Sequence, residues 1–315
     1  MYGMKCSIAP KSAVENATKQ NPLLPNYLAH LAITPALQQQ MQQWLIEDLG
    51  RGDLSAAALV GCSGEAHWLA KQAGVFCGGS LAKTIFHCLD PSLKIQLLVN
   101  DGDAITAGQR VLEIEGAATA MLAAERTALN LAMRLSGIAT ATAALVKQLE
   151  GTGVRLADTR KTSPGLRIFE KYASRCGGAY NHRVGLDDAA MLKENHLAWA
   201  GGIQNAIAAI RANAPWPARI IVEAETAEEA KAAIAAGADA ILLDEFSVAE
   251  LQQLVPQLRS LALKRGTPVL LEASGINPEQ IRAYASSGID LISSSAACTR
   301  SSWLDLSMRF NTNKG

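Results

Sequence analysis

Residues 154–196 carry eight Lys or Arg: Arg155, Arg160, Lys161, Arg167, Lys171, Arg175, Arg183 and Lys193. His182 and His196 join them, against five acids, Asp158, Glu170, Asp187, Asp188 and Glu194. The whole chain has zero formal charge, so this excess of base is a local asymmetry. Arg160 and Lys161 directly follow the apolar run 154–157, and Lys193 ends the run 189–192. A base at the end of a buried parallel strand points into the mouth of an α/β fold, where ligands bind. Several cations in one cleft repel one another unless something neutralises them, so the implied ligand is anionic. Glu223 and Asp244 end two further apolar runs. Carboxylates there can bind Mg²⁺, directly or through water, or hold sugar hydroxyls. Ser274-Gly275 and Ser293-Ser294-Ser295 follow the last two runs and offer backbone N–H groups ahead of helices, where phosphate binds. Together these residues predict an anionic ring compound opposite a sugar phosphate.

The elements carrying these residues can be read from periodicity and punctuation. Residues 1–21 are polar and aperiodic and read as a flexible extension. Thr34 and Pro35 predict the cap and first turn of a helix with Leu37, Met41, Trp44 and Leu45 on one face. The acids of residues 47–55, set among glycines, read as a helix end and capped turn rather than a metal loop. Strands are predicted at 65–72, 94–99 and 110–115, a helix at 80–89, and a long helix at 119–149. Apolar residues cover most of that last helix, so Arg126 on it needs an anionic partner. From residue 154 strands and helices alternate. Apolar runs at 219–222, 240–243, 269–271 and 291–292 recur every 20 to 28 residues, and Gly237 stops the helix 227–236. This spacing predicts a parallel α/β barrel.

Composition narrows the class. About half of the 315 residues are hydrophobic and only 5% aromatic, which suits an aliphatic α/β core. Zero net charge argues against nucleic-acid binding as the main task. The six cysteines show no C-x-x-C spacing and read as free thiols rather than zinc ligands or disulfides. No apolar run reaches the ~18 residues of a membrane span, and no signal-peptide core precedes residue 22, so a cytoplasmic protein is expected.

The motifs carry a family resemblance. Asp158-Thr159-Arg160-Lys161-Thr162, Pro164-Gly165-Leu166, Lys171-Tyr172-Ala173, Cys176-Gly177-Gly178, Asn181-His182-Arg183 and Lys193-Glu194-Asn195-His196 resemble the quinolinate phosphoribosyltransferases. Residues 47–55, Glu125–Asn130 and Leu135–Ala139 match the same family, and the likeness runs from about residue 33 to 310. It implies an open, incomplete parallel α/β barrel of the type II phosphoribosyltransferase kind over residues 119–299. A smaller N-terminal α+β sandwich would span 22–118 and be completed by 300–315. The implied reaction moves phosphoribosyl from 5-phosphoribosyl-1-pyrophosphate to quinolinate, with loss of pyrophosphate and CO₂, giving nicotinate mononucleotide. Arg126, Arg160, His182, Arg183 and Lys193 would grip the two acceptor carboxylates, and Lys161 the pyrophosphate. Glu223 and Asp244 would hold ribose hydroxyls and Mg²⁺. Ser274-Gly275 and Ser293-Ser294-Ser295 would take the 5-phosphate. No organic cofactor, membrane or nucleic acid is implied. The implied assembly is a homodimer in which Arg126 enters the partner's site. Three positions depart from the family pattern: Glu245 in place of the usual Asn, Ser295 in place of Gly, and Cys298 in place of a small hydroxyl residue. Competing readings are a molybdenum-associated paralogue with another acceptor, a Schiff-base aldolase using Lys161 or Lys193, and a carrier domain over residues 94–115. Against the carrier, Lys94 lies within a strand-like run rather than at a hairpin tip.

Overall fold

Thr34 accepts the Leu37 N–H and Pro35 fills the first turn of α1 (Pro35–Leu49), as the sequence predicts. The computed structural model describes residues 31–310, so the predicted extension 1–21 lies outside the described residues. Beyond α1, the Asp53 carboxylate accepts the Ser55 N–H and caps a short 3₁₀ turn, Leu54–Leu59. There follow β1 (Ser63–Ala70), β2 (Gly74–Val75), α2 (Gly79–Leu89), β3 (Lys94–Leu97), β4 (Ala104–Ile105), β5 (Arg110–Ala117) and α3 (Ala118–Gln148). The first sheet is antiparallel in the order β12-β1-β5-β3, where β12 (Leu306–Phe310) returns from the far end of the chain to pair Ala66 with Phe310 and Ala70 with Leu306. Ala66, Trp68 and Ala70 alternate inward on β1, which is the period-2 signature of a half-buried strand. Helices α1, α2 and the first half of α3 cover that face. Lys94 sits on β3 and pairs with Glu115 on β5, not on a hairpin tip, so it is no carrier lysine.

Helix α3 belongs to two cores. Met121 through Ala139 are buried with the sandwich, whereas Leu145 is buried with the barrel. The helix is long and apolar enough to cross a membrane, but it spends that surface inside the protein.

The second half of the chain contains β6 (Arg155–Ala157), α4 (Arg167–Cys176), β7 (Ala190–Leu192), α5 (Glu194–Trp199), α6 (Ile203–Asn213), β8 (Ile220–Ala224), α7 (Ala227–Ala236), β9 (Ala240–Asp244), α8 (Val248–Arg265), β10 (Leu270–Ser274), α9 (Ile281–Tyr284), β11 (Leu291–Ser293) and α10 (Ala296–Thr299). Thr226 and Ser247 cap α7 and α8 in reciprocal boxes with Glu229 and Glu250. Gly237 ends α7 at φ 101°, a conformation only glycine adopts cheaply. All six strands are parallel, in the order β6-β11-β10-β9-β8-β7. β6 and β7 are consecutive in sequence yet stand at opposite ends, so the barrel is open between them. A lone bridge from Ala157 to Tyr180 partly fills that gap.

Candidate active site

Alternation along the strands builds the barrel mouth. Ala157, Ile221, Ala240, Leu242, Leu270 and Leu291 fill the interior as one cluster, with Met191 against it. Two residues on, toward the C-terminal ends, the same inward face presents Lys193 after Met191, Glu223 after Ile221, Asp244 after Leu242, and Ser293 after Leu291. On β10 the inward series is Leu270, Glu272, Ser274. Pairing sets Glu272 level with Leu242 and Leu291, one layer below the rim. Apolar floor and polar rim thus follow from strand period alone.

The loops after β6 supply the cations. Asp158, which is buried, is the hub. Its carboxylate accepts from Lys171 at 2.5 Å, from Asn181 at 2.7 Å and from the His182 backbone N–H at 2.7 Å. Burial pushes the Asp158 carboxyl up, and the Lys171 ammonium with these donors pulls against it. Lys171 also donates to the His182 carbonyl at 2.9 Å, so both backbone groups of His182 are fixed. Lys171 is therefore framework, not a ligand base. Arg167 likewise donates to Thr162 and to the Val184 carbonyl, and His196 Nδ1 accepts the Lys193 N–H. Of the ten bases concentrated in residues 154–196, only some face the cleft.

Arg160, His182 and Arg183 do. Arg160 Nε and His182 Nε2 are buried without hydrogen-bond partners. Arg183 reaches the Ala189 carbonyl at 3.1 Å, and desolvation, followed by repulsion from Arg160, lowers its pKa. Buried donors without acceptors are rare in folded proteins, and two beside a pair of mutually repelling guanidiniums describe an anion site. Across the mouth, Lys193 forms an ion pair with Glu223. Its side chain is about half exposed and held by a carboxylate rather than set in an apolar pocket, which disfavours an aldolase Schiff base there. Lys161 is exposed beside this cleft.

Negative charge gathers on β8 and β9. Glu225 is pushed up in pKa by desolvation and then by Glu194, Glu229, Glu223 and Asp244. Among the described residues no three His, Cys, Asp or Glu converge to hold a metal by themselves. One or two carboxylates short of a full cage is the donor set with which Mg²⁺ binds a phosphorylated substrate.

The turns at Ser274-Gly275 and Ser293-Ser294-Ser295 precede only a three-residue 3₁₀ turn, Pro278–Gln280, and the four-residue α9 and α10. Such short elements add little macrodipole, so any phosphate there relies on individual N–H and hydroxyl donors. Cys298 does not face the phosphate turn. Its thiol donates to Glu170 at 2.9 Å, and burial with that carboxylate raises its pKa to about 12. Glu170 is fully buried and also accepts from Arg134 on α3 and from Ser163. No local pattern in the sequence announces that network. Ser295 has φ −87°, so replacing glycine there costs no backbone strain. Glu245 is different: it has φ 58°, the one non-glycine positive φ among the described residues.

Arg126 is exposed on α3, so it has no need of the buried anionic partner expected for it. It lines a cleft of about 570 Å³ with Trp44, Glu47, Asp48, Arg134 and Trp303, joined by Ser163 and Leu166 from the loop after β6, whereas Arg160, His182, Arg183 and Lys193 do not line it. The residue missed by sequence reasoning is Glu272, 2% exposed. Its Oε2 lies 3.3 Å from His182 Nε2, and its Oε1 has no partner. The available signal is a carboxylate directly after the apolar run 269–271. The end of that run suggests the end of the strand, but the strand continues to Ser274.

Comparisons with known proteins show the family. The family model for the quinolinate phosphoribosyl transferase C-terminal domain matches residues 138–309, and that for the N-terminal domain matches residues 53–136. A probable nicotinate-nucleotide pyrophosphorylase (carboxylating) from Synechocystis is 46% identical over 276 residues, covering 87% of this chain and 92% of the relative. The counterpart from Bacillus subtilis is 40% identical, covering 86% and 92%. The solved nicotinate-nucleotide pyrophosphorylase of Francisella tularensis superposes with TM-score 0.83 at 35% identity, over 91% of this chain and 100% of that one. Two domain models that meet within α3, and relatives matched along nearly their whole length, place this chain in the quinolinate phosphoribosyl transferase family.

Proposed function

We propose that the chain transfers phosphoribosyl from 5-phosphoribosyl-1-pyrophosphate to quinolinate, releasing pyrophosphate and CO₂ and forming nicotinate mononucleotide for NAD biosynthesis. The observation that carries this reading is a pair of buried donors without hydrogen-bond partners, Arg160 Nε and His182 Nε2, beside Arg183 and opposite a carboxylate rim. The two acceptor carboxylates bind Arg160, His182, Arg183 and Lys193, joined by Arg126 of a second copy of this chain. Lys161 holds the pyrophosphate. Glu223 and Asp244 hold ribose hydroxyls, and Ser274, Gly275, Ser293, Ser294 and Ser295 the 5-phosphate. Mg²⁺, held by Glu223 and Asp244 directly or through water, neutralises pyrophosphate charge when bound. The protein's part is positioning and electrostatics. Fixed cations hold the pyridine nitrogen against ribose C1, and the bond to C1 forms as pyrophosphate leaves. The ring nitrogen becomes cationic and stabilises the carbanion left at C2 by CO₂ loss. In this reading residues 119–299 do the chemistry, and Arg126 acts from a cleft that Trp44, Glu47 and Asp48 of the smaller domain share with α3. The free thiols at Cys62, Cys77, Cys88, Cys176 and Cys298 suit a reducing cytoplasm. The test is a mass assay for nicotinate mononucleotide from quinolinate, 5-phosphoribosyl-1-pyrophosphate and Mg²⁺. Absence of product at saturating substrates refutes the reading.

A further inference from the structure

When CO₂ departs, C2 of the ring keeps the electron pair of the broken C–C bond and must gain one proton. Most groups in the acceptor trap are poor sources. Guanidiniums do not release protons in proteins, Lys193 is bound to Glu223, and Lys171 is bound to Asp158. The remaining candidates are His182 and, one layer below the rim, Glu272. His182 Nδ1 accepts the Arg183 backbone N–H at 2.7 Å, which puts the ring proton on Nε2. Nε2 lies 3.3 Å from Glu272 Oε2 but out of hydrogen-bond alignment, and Glu272 Oε1 has no partner at all. Both unpartnered atoms are shut off from solvent. An orphaned carboxylate oxygen in a barrel floor of Leu242 and Leu291 is costly unless a ligand or a proton engages it.

We propose that Glu272 is the general acid that protonates C2, with His182 as its positioning residue, its Nε2–H shared between Glu272 Oε2 and the acceptor carboxylate until CO₂ leaves. The proposal rests on the function given above. Because the Arg183 N–H occupies Nδ1 and Nε2 already carries the ring proton, the free acceptor of this pair is Glu272 Oε1, where the transferable proton is placed. The C2–carboxylate bond breaks, CO₂ leaves without the electron pair, and C2 holds that pair beside the cationic ring nitrogen. The Oε1–H bond then breaks, the proton forms the C2–H bond, and Glu272 is left as the carboxylate facing His182 Nε2–H. Because Oε1 is closed to solvent in the free enzyme, the proton returns with a water that reaches it as product leaves or acceptor enters. The charged groups around the pair are Arg160, Arg183 and the Asp158–Lys171 pair behind the His182 backbone.

Reversal of the last step gives the test. Nicotinate mononucleotide bound to the enzyme in deuterium oxide should exchange its C2 hydrogen, followed by proton NMR, with no other substrate present. Glu272→Gln should bind the nucleotide by calorimetry yet exchange at least 100-fold more slowly, the span of a lost general acid or base. Glu272→Asp, which keeps the carboxyl group, should fall between. Wild type that forms nicotinate mononucleotide from quinolinate but catalyses no exchange overturns the proposal, as does Glu272→Gln exchanging within threefold of wild type. If Glu272→Gln fails to bind, the wild-type pH profile decides. Exchange by a carboxylate levels off after one ionisation, whereas a rise of tenfold per pH unit throughout means hydroxide and overturns the proposal. Wild type that makes no product from quinolinate refutes the function itself, a different outcome.

Discussion

At the scale of single residues, the site sets two buried donors without hydrogen-bond partners, Arg160 Nε and His182 Nε2, beside Arg183. Arg160→Ala removes a charge-assisted contact worth about 1.5–3 kcal/mol, so kcat/KM for quinolinate should fall about 10- to 150-fold, and further if the contact tightens in the transition state. Unchanged circular dichroism would separate this from misfolding; near-normal kcat/KM would sink the role assigned to it. Nicotinic acid should be a far poorer acceptor than quinolinate, because one carboxylate leaves cations of the trap unpaired, and comparable turnover of the two acids would contradict the two-carboxylate reading. Glu245 holds a left-handed backbone that Asn tolerates far better, and its charge stands beside Asp244. Glu245→Asn should therefore raise stability by about 1 kcal/mol and lower KM for 5-phosphoribosyl-1-pyrophosphate, read from thermal unfolding and steady-state kinetics. Glycine is needed opposite it: a Cβ at Gly275, φ 75°, would lie 2.8 Å from Glu245 Cγ and 3.1 Å from its backbone nitrogen.

At the scale of elements, α3 is the member that couples the two cores, and its close crossings set its tolerance. A Cβ at Gly137 would stand 2.1 Å from the Ser302 carbonyl oxygen, and one at Gly177, where α4 meets α3, 2.4 Å from that of Ala139. The Arg134–Glu170–Cys298 network ties α3, α4 and α10 together beside these crossings. Cys298 gives that network a pH signature. Its folded pKa of about 12 exceeds the unfolded value near 8.5, so the unfolded thiol loses its proton first as pH rises. The contribution is present below about pH 8.5 and drains away as pH climbs toward 12. Cys298→Ser keeps a donor for Glu170 but has no such ionisation, so its urea-derived stability should fall less than that of wild type between about pH 8 and 10. Parallel slopes in the two proteins would count against the thiol as the cause.

At the scale of the whole molecule, the open question is where Arg126 acts. It lies in a cleft with Trp44, Glu47 and Asp48 whose lining does not include Arg160, His182, Arg183 or Lys193 of its own chain, which favours action across a two-fold axis. Arg126→Ala and Lys161→Ala should each be inactive alone. Mixed and allowed to exchange subunits, they should recover about a quarter of wild-type activity, because random pairing gives half mixed dimers with one intact site each. No recovery, with exchange verified by tag pull-down, would place Arg126 in its own chain's site.

By itself the sequence determined the barrel, its strand spacing and the rim residues Lys193, Glu223, Asp244 and Ser274. These depend on period-2 alternation and on the residue type that closes each apolar run, and both are local. It also marked the basic loops after β6, because charge beside an apolar run is visible without coordinates. Only the tertiary structure sorted those bases. Lys171 and Arg167 hold the framework while Arg160 and His182 wait for a ligand, and that distinction rests on partners 13 to 24 residues away. The partner of Cys298 is Glu170, 128 residues distant, and is hidden for the same reason. Glu272 became legible last. A carboxylate at a strand end and one a layer below the rim look alike in sequence, and parallel pairing with β9 and β11 decides how deep it sits.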